Sequence, residues 1–589
     1  MSGLSRRPGR ALALAVGLAL AAATPNRADG PAVSTIVADV GDAYFELLLE
    51  QSPLLRLKRK LAVERLPDVS LAHEQAIAAR AEALLGRLGQ AKRSELSHEE
   101  ALSFEVLDRQ LRVLVAAPRF HELRFMVTPY SSPISEVNQV FAALPLATEA
   151  DRARYLSLLA QYPDFAGGLR ARTESQARLG IRVPREELDT ALGFLKASIG
   201  TDASPYAVAP ARLAGLSAET ARGFSEQVAR RVAGDVNPAL SALVELLSAD
   251  YRQAAPAGVG LGQFPGGPEY YAWLVKYHTT LDATPEDVHS IGVAEVERIE
   301  TEMAAVRAEL GFTGSPTEFK RALNANPRFF AATPEEVGAR LMAYVNRLDP
   351  KLDALFERRP KAPYGVKRLE PELEGGQTFG YYEVATGSDP VGYYRFNGSN
   401  LSQRLLLSAG PLIYHELVPG HHFQLNLARE NTTLPVFRRE SGDTAYTEGW
   451  GNYAACLAGE VGMYQDPYDR YGWLAFDMFI SVRLVVDTGM NALGWSRQRA
   501  MDYMHDHLLE TDTQIASESL RYSCDIPGQA LGYKMGLRTM LELREKAKSA
   551  LGERFDIRRL HEALLGSGSL PLGALSQHVD WFIEQERAR

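Results

Sequence analysis

Apolar residues recur three and four positions apart along most of this chain, and that period confines it to a packing of helices. Between about residues 33 and 247 the pattern is almost unbroken, as in Phe104, Leu107, Leu111 and Leu114. That spacing places one apolar stripe along an α-helix. Helix starts are written locally as well. Ser97 with Glu100 predicts a reciprocal cap. Thr284-Pro285-Glu286-Asp287 and Thr333-Pro334-Glu335-Glu336 predict two more starts. In each, Thr caps, Pro sits in the first turn where its missing N–H costs nothing, and the acids face the positive end of the helix dipole. With 46% apolar residues in 589, a large core is available, which excludes a disordered chain. The expected fold class is mainly α.

The helical pattern is interrupted in two places. A Gly/Pro-rich stretch at 254–268 predicts a division into a helical lobe over 33–253 and a second helical lobe over 269–589, with a deep cleft between them. The one strand signal covers residues 378–384 and 391–396, joined by Gly387-Ser388-Asp389-Pro390, and predicts a small β-hairpin.

Acidic residues outnumber basic ones by 73 to 64, for a net charge of −9. Nucleic acids and anionic membranes are therefore not expected partners, since both require a basic face. Two cysteines, Cys456 and Cys524, cannot staple a chain of this size; whether they pair is a question of distance. At the N-terminus, Arg6, Arg7 and Arg10 precede an apolar run over 11–23 that is too short for a bilayer. Ala21 and Ala23 fit a signal-peptidase site, so residues 1–23 read as a secretory signal. No cysteine follows the run, so no lipid anchor is expected after cleavage. The protein is expected in the periplasm or outside the cell.

The informative segment is Y-H-E-L-V-P-G-H-H-F-Q, from Tyr414 to Gln424. His415 and Glu416 begin like the zinc motif H-E-x-x-H, where two histidines share one helical face and the glutamate activates water. Pro419 stands where the second histidine belongs. On a regular helix His421 would lie about 600° round from His415, and His422 about 10.5 Å along the axis. Only a deformed helix can bring either to His415. Pro419 removes the hydrogen bond to the His415 carbonyl, Val418 before it is pushed from helical angles, and Gly420 is conformationally free. The second ligand is expected to be His421, with His422 as the alternative. The third is Glu448 in T-E-G-W-G-N-Y, 27 residues after His421. Two imidazoles and one carboxylate around one Zn2+ leave a fourth position open, which is the catalytic arrangement.

These segments, H-E-L-V-P-G-H-H-F-Q and E-G-W-G-N-Y, resemble the domain-of-unknown-function 885 family. The resemblance continues over 269–280, 483–495, 518–536 and 555–561. It implies a distant similarity to helical zinc peptidases such as carboxypeptidase Taq and the thimet-type oligopeptidases. The sequence departs from the family at Asn491, where a histidine is usual, and near Ala455, where a glutamate is usual. A histidine near the metal could donate to an oxyanion, so Asn491 is expected to leave a weaker donor there or none.

Other candidates follow from position. Tyr522, Arg521 or Tyr533 could steady the oxyanion of a tetrahedral intermediate or hold a substrate carboxylate. Asp487 could orient a ligand histidine. Tyr394 and Asn397 could meet an extended peptide by strand addition. The combined expectation is a zinc-dependent hydrolase of peptide or peptide-like amide bonds, with Glu416 as general base. Two alternatives remain: an amidase acting on a small non-peptide molecule, and a catalytically silent binding protein on the same fold.

Overall fold

The computed structural model describes residues 35–200, 204–371, 374, 380–385 and 389–589. The expected signal segment lies outside them. The described chain is mainly α. Helices α1 (Thr35–Gln51) and α2 (His98–Ala116) lead to α3 (Gly267–Thr279), α4 (Pro285–Glu309) and α5 (Pro334–Leu348). The local signals work as chemistry: Ser97 and Glu100 close a reciprocal cap on α2, Thr284 and Asp287 another on α4, and Thr333 accepts from the Glu336 N–H at the start of α5.

A three-stranded sheet follows, with β1 (Tyr364–Arg368), β2 (Gly380–Glu383) and β3 (Gly392–Phe396) in the order β1-β3-β2. The expected hairpin is the antiparallel β2–β3 pair; residues 378 and 379 of the expected first strand lie outside the described residues. Strand β1 was not expected. It runs parallel to β3 in the register Tyr364↔Gly392 to Arg368↔Phe396, a pairing across 28 residues that no local alternation signals.

The chain then returns to helices: α6 (Ala409–Glu416), α7 (His421–Glu430), α8 (Thr444–Glu460), α9 (Pro467–Asn491), α10 (Asp512–Leu520), α11 (Leu531–Leu551), α12 (Ile557–Gly566) and α13 (Leu572–Ala588). Three apolar cores hold them. One joins α1 and α2 to α5, α6, α8, α11 and α13. A second fills the space among helices before residue 275 and reaches Leu484, Leu531 and Met535. A third lies between α4 and α9. Each core thus combines sequence from distant parts of the chain.

Helix α9 is buried on every side from Asp477 to Asn491, so its polar residues must find partners inside the protein. It lies along α4, where a Cβ on Gly292 would stand 2.7 Å from Leu484 Cβ. Helices α8 and α11 cross equally closely at Gly449 and Gly536: a Cβ on Gly536 would meet Gly449 Cα at 2.7 Å. This crossing fixes α8, which carries Glu448, against α11, which carries Tyr533. Because backbone stands on the other side and cannot yield, Gly536→Ala is expected to destabilise the fold by about 1–3 kcal/mol through overpacking. Denaturant unfolding measures this, and an unchanged midpoint would contradict the account of the crossing.

Candidate metal centre

Helix α6 ends at Glu416 and α7 begins at His421; the four residues between leave helical geometry. Leu417 has φ −108° and ψ −89°, and Gly420 has φ −78° and ψ −123°. The Val418–Pro419 peptide is cis. The break is closed by hydrogen bonds from the Leu417 N–H to the Ile413 carbonyl (2.8 Å) and from the His422 N–H to the Leu417 carbonyl (3.1 Å). Gly420 is required: a Cβ there would fall 2.5 Å from the Tyr414 carbonyl oxygen. The freed Pro419 carbonyl accepts from Trp450 Nε1 at 3.0 Å, so α8 ties down the break.

The result places His415, at the end of α6, beside His421, at the start of α7, with ring centroids 4.6 Å apart. Glu448 Oε2 lies 3.3 Å from His415 Nε2 and 3.5 Å from His421 Nε2. One donor atom from each of the three falls within 4.8 Å of the others. Two donors bound tetrahedrally to one Zn2+ at about 2.0–2.2 Å stand roughly 3.3–3.6 Å apart, so both contacts of Glu448 have the spacing of shared coordination. The carboxylate oxygen itself is buried and has no hydrogen-bond partner, an arrangement that ordinarily costs stability. A divalent cation would satisfy it. The donor set of two imidazoles and one carboxylate fits zinc.

Asn452, one turn after Glu448 on α8, aligns the centre. Its Oδ1 is 3.2 Å from His415 Nδ1, and its Nδ2 donates to the Glu448 carbonyl (2.8 Å) and the Tyr533 carbonyl (3.2 Å). That leaves His415 Nε2 facing Glu448. Gly451 makes room for the ring, since a Cβ there would stand 2.7 Å from its Nδ1. Neither residue had been assigned a role from sequence, although Asn452 is four places from Glu448 and so shares its helical face.

Burial pushes the Glu416 carboxyl above its ordinary range, and the nearby Glu448 adds to this, while the two imidazoles and the Tyr382 backbone N–H oppose it. Burial also acts to raise Glu448, but the two imidazoles hold it well below the usual carboxylate range. The two carboxyls therefore differ in proton affinity, Glu448 being held ionised while Glu416 is raised.

His422 is not part of the cluster. Its Nδ1 meets Tyr382 Oη at 2.9 Å and its Nε2 the Ala362 carbonyl at 3.0 Å, and burial lowers its pKa to about 4. It joins α7 to the sheet as a neutral ring. Tyr522 is also not free to meet a substrate: it is fully buried, accepts from Arg483 Nε at 2.7 Å and donates to Glu518. Arg521 pairs with Glu518 (3.3 Å) and Gln529 (2.8 Å) and hydrogen-bonds the Tyr533 phenol. Tyr533 is the one of the three that borders the centre, its ring parallel to that of His415 at 6.1 Å, with Arg483 over its other surroundings at 4.5 Å.

Asn491 does not face the centre. It donates to the carbonyls of Asp487 and Tyr522 (both 2.9 Å) and accepts from the Leu261 N–H (2.9 Å). It clamps α9 to the 260–262 loop. Asp487 orients no ligand histidine: it accepts from Tyr271 Oη (2.8 Å) and the Gly528 N–H (3.0 Å), and burial raises its carboxyl to about 7. Ala455 sits in the apolar core beside Tyr464. Tyr394 is buried under Glu416, and Asn397 is occupied with the Glu374 carbonyl and with Ser399. Cys456 and Cys524 are free thiols.

The family described as "Bacterial protein of unknown function (DUF885)" matches residues 55–579. The chain belongs to this family. Its fold is also that of a protein from Colwellia psychrerythraea described provisionally as a lipoprotein, with 27% identity over 94% of this chain and all of that one, at a TM-score of 0.88. A second, from Shewanella oneidensis and described provisionally as a lipoprotein of unknown function, shares 17% identity over 93% and 99% of the two chains, at a TM-score of 0.71. No curated protein matches the chain.

Because Asn452 fixes the face that His415 presents, Asn452→Ala is expected to weaken Zn2+ binding about 10–100-fold without unfolding α8. Competition titration with a chromogenic chelator measures this. An affinity equal to wild type would remove Asn452 from the centre.

Proposed function

We propose that this DUF885 protein is an exported zinc-dependent hydrolase of peptide or peptide-like amide bonds. One observation carries the reading: a buried, unpartnered carboxylate oxygen of Glu448 lies between the Nε2 atoms of two histidines brought together by a broken helix. Nothing in the packing requires that triplet, and leaving it without a cation is costly. Glu416 beside it is the second half of the argument, since a carboxylate with raised proton affinity next to a cation site is equipped for general base work.

His415, His421 and Glu448 would hold the ion, which when bound supplies a Lewis acid and lowers the pKa of a coordinated water. Glu416 takes one proton from the attacking water as the water oxygen bonds to the amide carbon. It returns that proton to the nitrogen as the C–N bond breaks, leaving a carboxylic acid and an amine. The phenol of Tyr533, held by Arg521, is placed to donate to the carbonyl oxygen as negative charge gathers there. Strand β2, last in the order β1-β3-β2, lies against Glu416 through the Tyr382 N–H, and a strand beside the general base suits a substrate with an extended amide backbone better than a compact small molecule.

Export is supported by the N-terminal charge and apolar run, and by the lipoprotein description of the Colwellia psychrerythraea relative. We therefore place it outside the cytoplasm, in the periplasm or outside the cell.

The purified chain is expected to bind about one Zn2+ by elemental analysis and to lose hydrolysis of a mixed peptide panel when chelated. Glu416→Gln is expected to keep the metal and lose turnover by about 10²–10⁴-fold. Full activity in that variant would remove Glu416 from the reaction, and metal-loaded protein that cleaves no amide would favour the silent binding protein.

A further inference from the structure

A cavity of about 900 Å3 lies next to the candidate metal centre without including any of its ligands. Along one wall two side chains, Arg521 and Tyr533, stand between the two. Tyr130, on the cavity wall and 47% exposed, stands over Arg521 at 5.7 Å. Arg521 reaches Tyr533, which is parallel to the His415 ring. On another wall, His278 Nδ1 meets Thr444 Oγ1 at 3.3 Å, one helical turn before Glu448. A volume of this size takes a ligand of several residues or rings.

The lining has two chemical features. The first is a run of aromatic rings on α3 and on the turn that follows α2: Phe120 stacks on Tyr270 at 4.8 Å, Tyr270 on Trp273 at 6.1 Å, and Trp273 on Tyr277 at 5.1 Å with only 4° between planes. Its two ends already hold guanidinium groups, Arg119 over Phe120 at 5.3 Å and Arg109 over Tyr277 at 5.4 Å. Among the described residues no cation stands over Tyr270 or Trp273 in the middle. The second feature is charge. Asp68, Glu136 and Asp525 line the cavity, and none is within 4.0 Å of a basic side chain among the described residues. The other two acids are neutralised: Glu74 by Arg124 at 2.5 Å and Arg172 at 3.2 Å, and Glu50 by Arg80 at 2.5 Å. Against the three stand Arg65, exposed at the rim, Lys58, whose charge reaches Glu136, and Arg521, whose charge reaches Asp525 but which is paired with Glu518. Asp525 also faces the fully buried Glu187, whose carboxyl burial pushes up to about 9, so that the charge on this wall rests with Asp525.

Aromatic faces and unpaired carboxylates favour the same kind of occupant. A ring face attracts a cation through its quadrupole, most strongly where water is excluded, and the carboxylates add direct attraction. An anionic ligand would meet repulsion from both. The geometry points to this cavity as the binding compartment for a cationic segment of a peptide substrate, a lysine or arginine side chain or a free α-ammonium with an apolar neighbour, held beside the bond to be cleaved. That the occupant is a peptide rests on the hydrolase reading; that it is cationic rests on the cavity alone.

The test is a calorimetric titration of the full-length, zinc-loaded Glu416→Gln variant, in which binding is read without turnover. The probes are the amidated tetrapeptide Lys-Phe-Ala-Ala, its N-acetylated counterpart with Glu in place of Lys, and chitotriose as a neutral ring ligand. The lysine peptide is expected to bind at least tenfold more tightly than either of the others. Trp273→Ala in the same background is expected to weaken it at least tenfold and Trp273→Phe less than threefold. Asp525→Asn is expected to reduce the preference for the lysine over the glutamate peptide at least threefold; should Trp273→Ala fail to fold, this comparison decides. Equal or reversed binding of the two peptides, tighter binding of chitotriose, or an unchanged preference in Asp525→Asn would overturn the inference. An active wild-type enzyme with no charge preference would overturn this compartment while leaving the hydrolase reading in place, and charge-selective binding without hydrolysis would do the reverse.

Discussion

The centre of this protein depends on one helix being prevented from continuing. Two imidazoles six residues apart cannot face each other on an unbroken helix, because about 600° of rotation lies between them. Pro419 withholds the hydrogen bond that would carry α6 onward, and Gly420 takes a position where a side chain would strike the Tyr414 carbonyl. The polar groups released by the break do not stay unsatisfied. Trp450 takes the Pro419 carbonyl, and the His422 N–H turns back to Leu417. A local irregularity that would otherwise destabilise the core is thereby held in one shape.

That shape draws its precision from α8. Within two turns this helix supplies Glu448 as a donor, Gly451 as space for the His415 ring, Asn452 as its orienting partner and Trp450 as the tie to Pro419. The same helix packs tightly on α11 through the Gly449–Gly536 crossing, which sets Tyr533 beside the centre. The buried polar residues of α9 serve a different purpose. Arg483, Asp487 and Asn491 are each fully occupied with Tyr522, Tyr271, Gly528 or the 260–262 loop, and together they fix the 521–528 segment that carries Arg521 toward Tyr533.

Much of this was legible in the sequence. Apolar spacing and Thr-Pro-acid starts depend on neighbours within one turn, which is why the helices and their caps could be read directly. The approach of His421 to His415 was legible for the same kind of reason: Pro419 stops the helix and Gly420 can take the turn that follows. What was hidden depends on contacts between distant segments. Strand β1 pairs in parallel across a long connection, and His422 finds Tyr382 and Ala362 only once the sheet is in place. Tyr522 and Asn491 drew attention by position, yet Glu518, Arg483 and the Leu261 N–H reach them first. Asn452 was readable from its spacing to Glu448 but has an ordinary residue type for a helix interior.

The two carboxylates of the centre show how one environment can assign two roles. Glu416 and Glu448 are both withdrawn from water, which by itself favours the protonated form of each. Glu448 touches both imidazoles and is held ionised; Glu416 is near them but also near the Glu448 charge, and it sits under the sheet against Tyr394 and the Tyr382 N–H. The contacts made by the broken helix therefore do more than gather donors. They separate the proton affinities of two neighbouring acids, so that one is suited to bind a cation and the other to carry a proton. A regular helix at 416–421 would remove His421 from both acids at once, and with it the distinction between them.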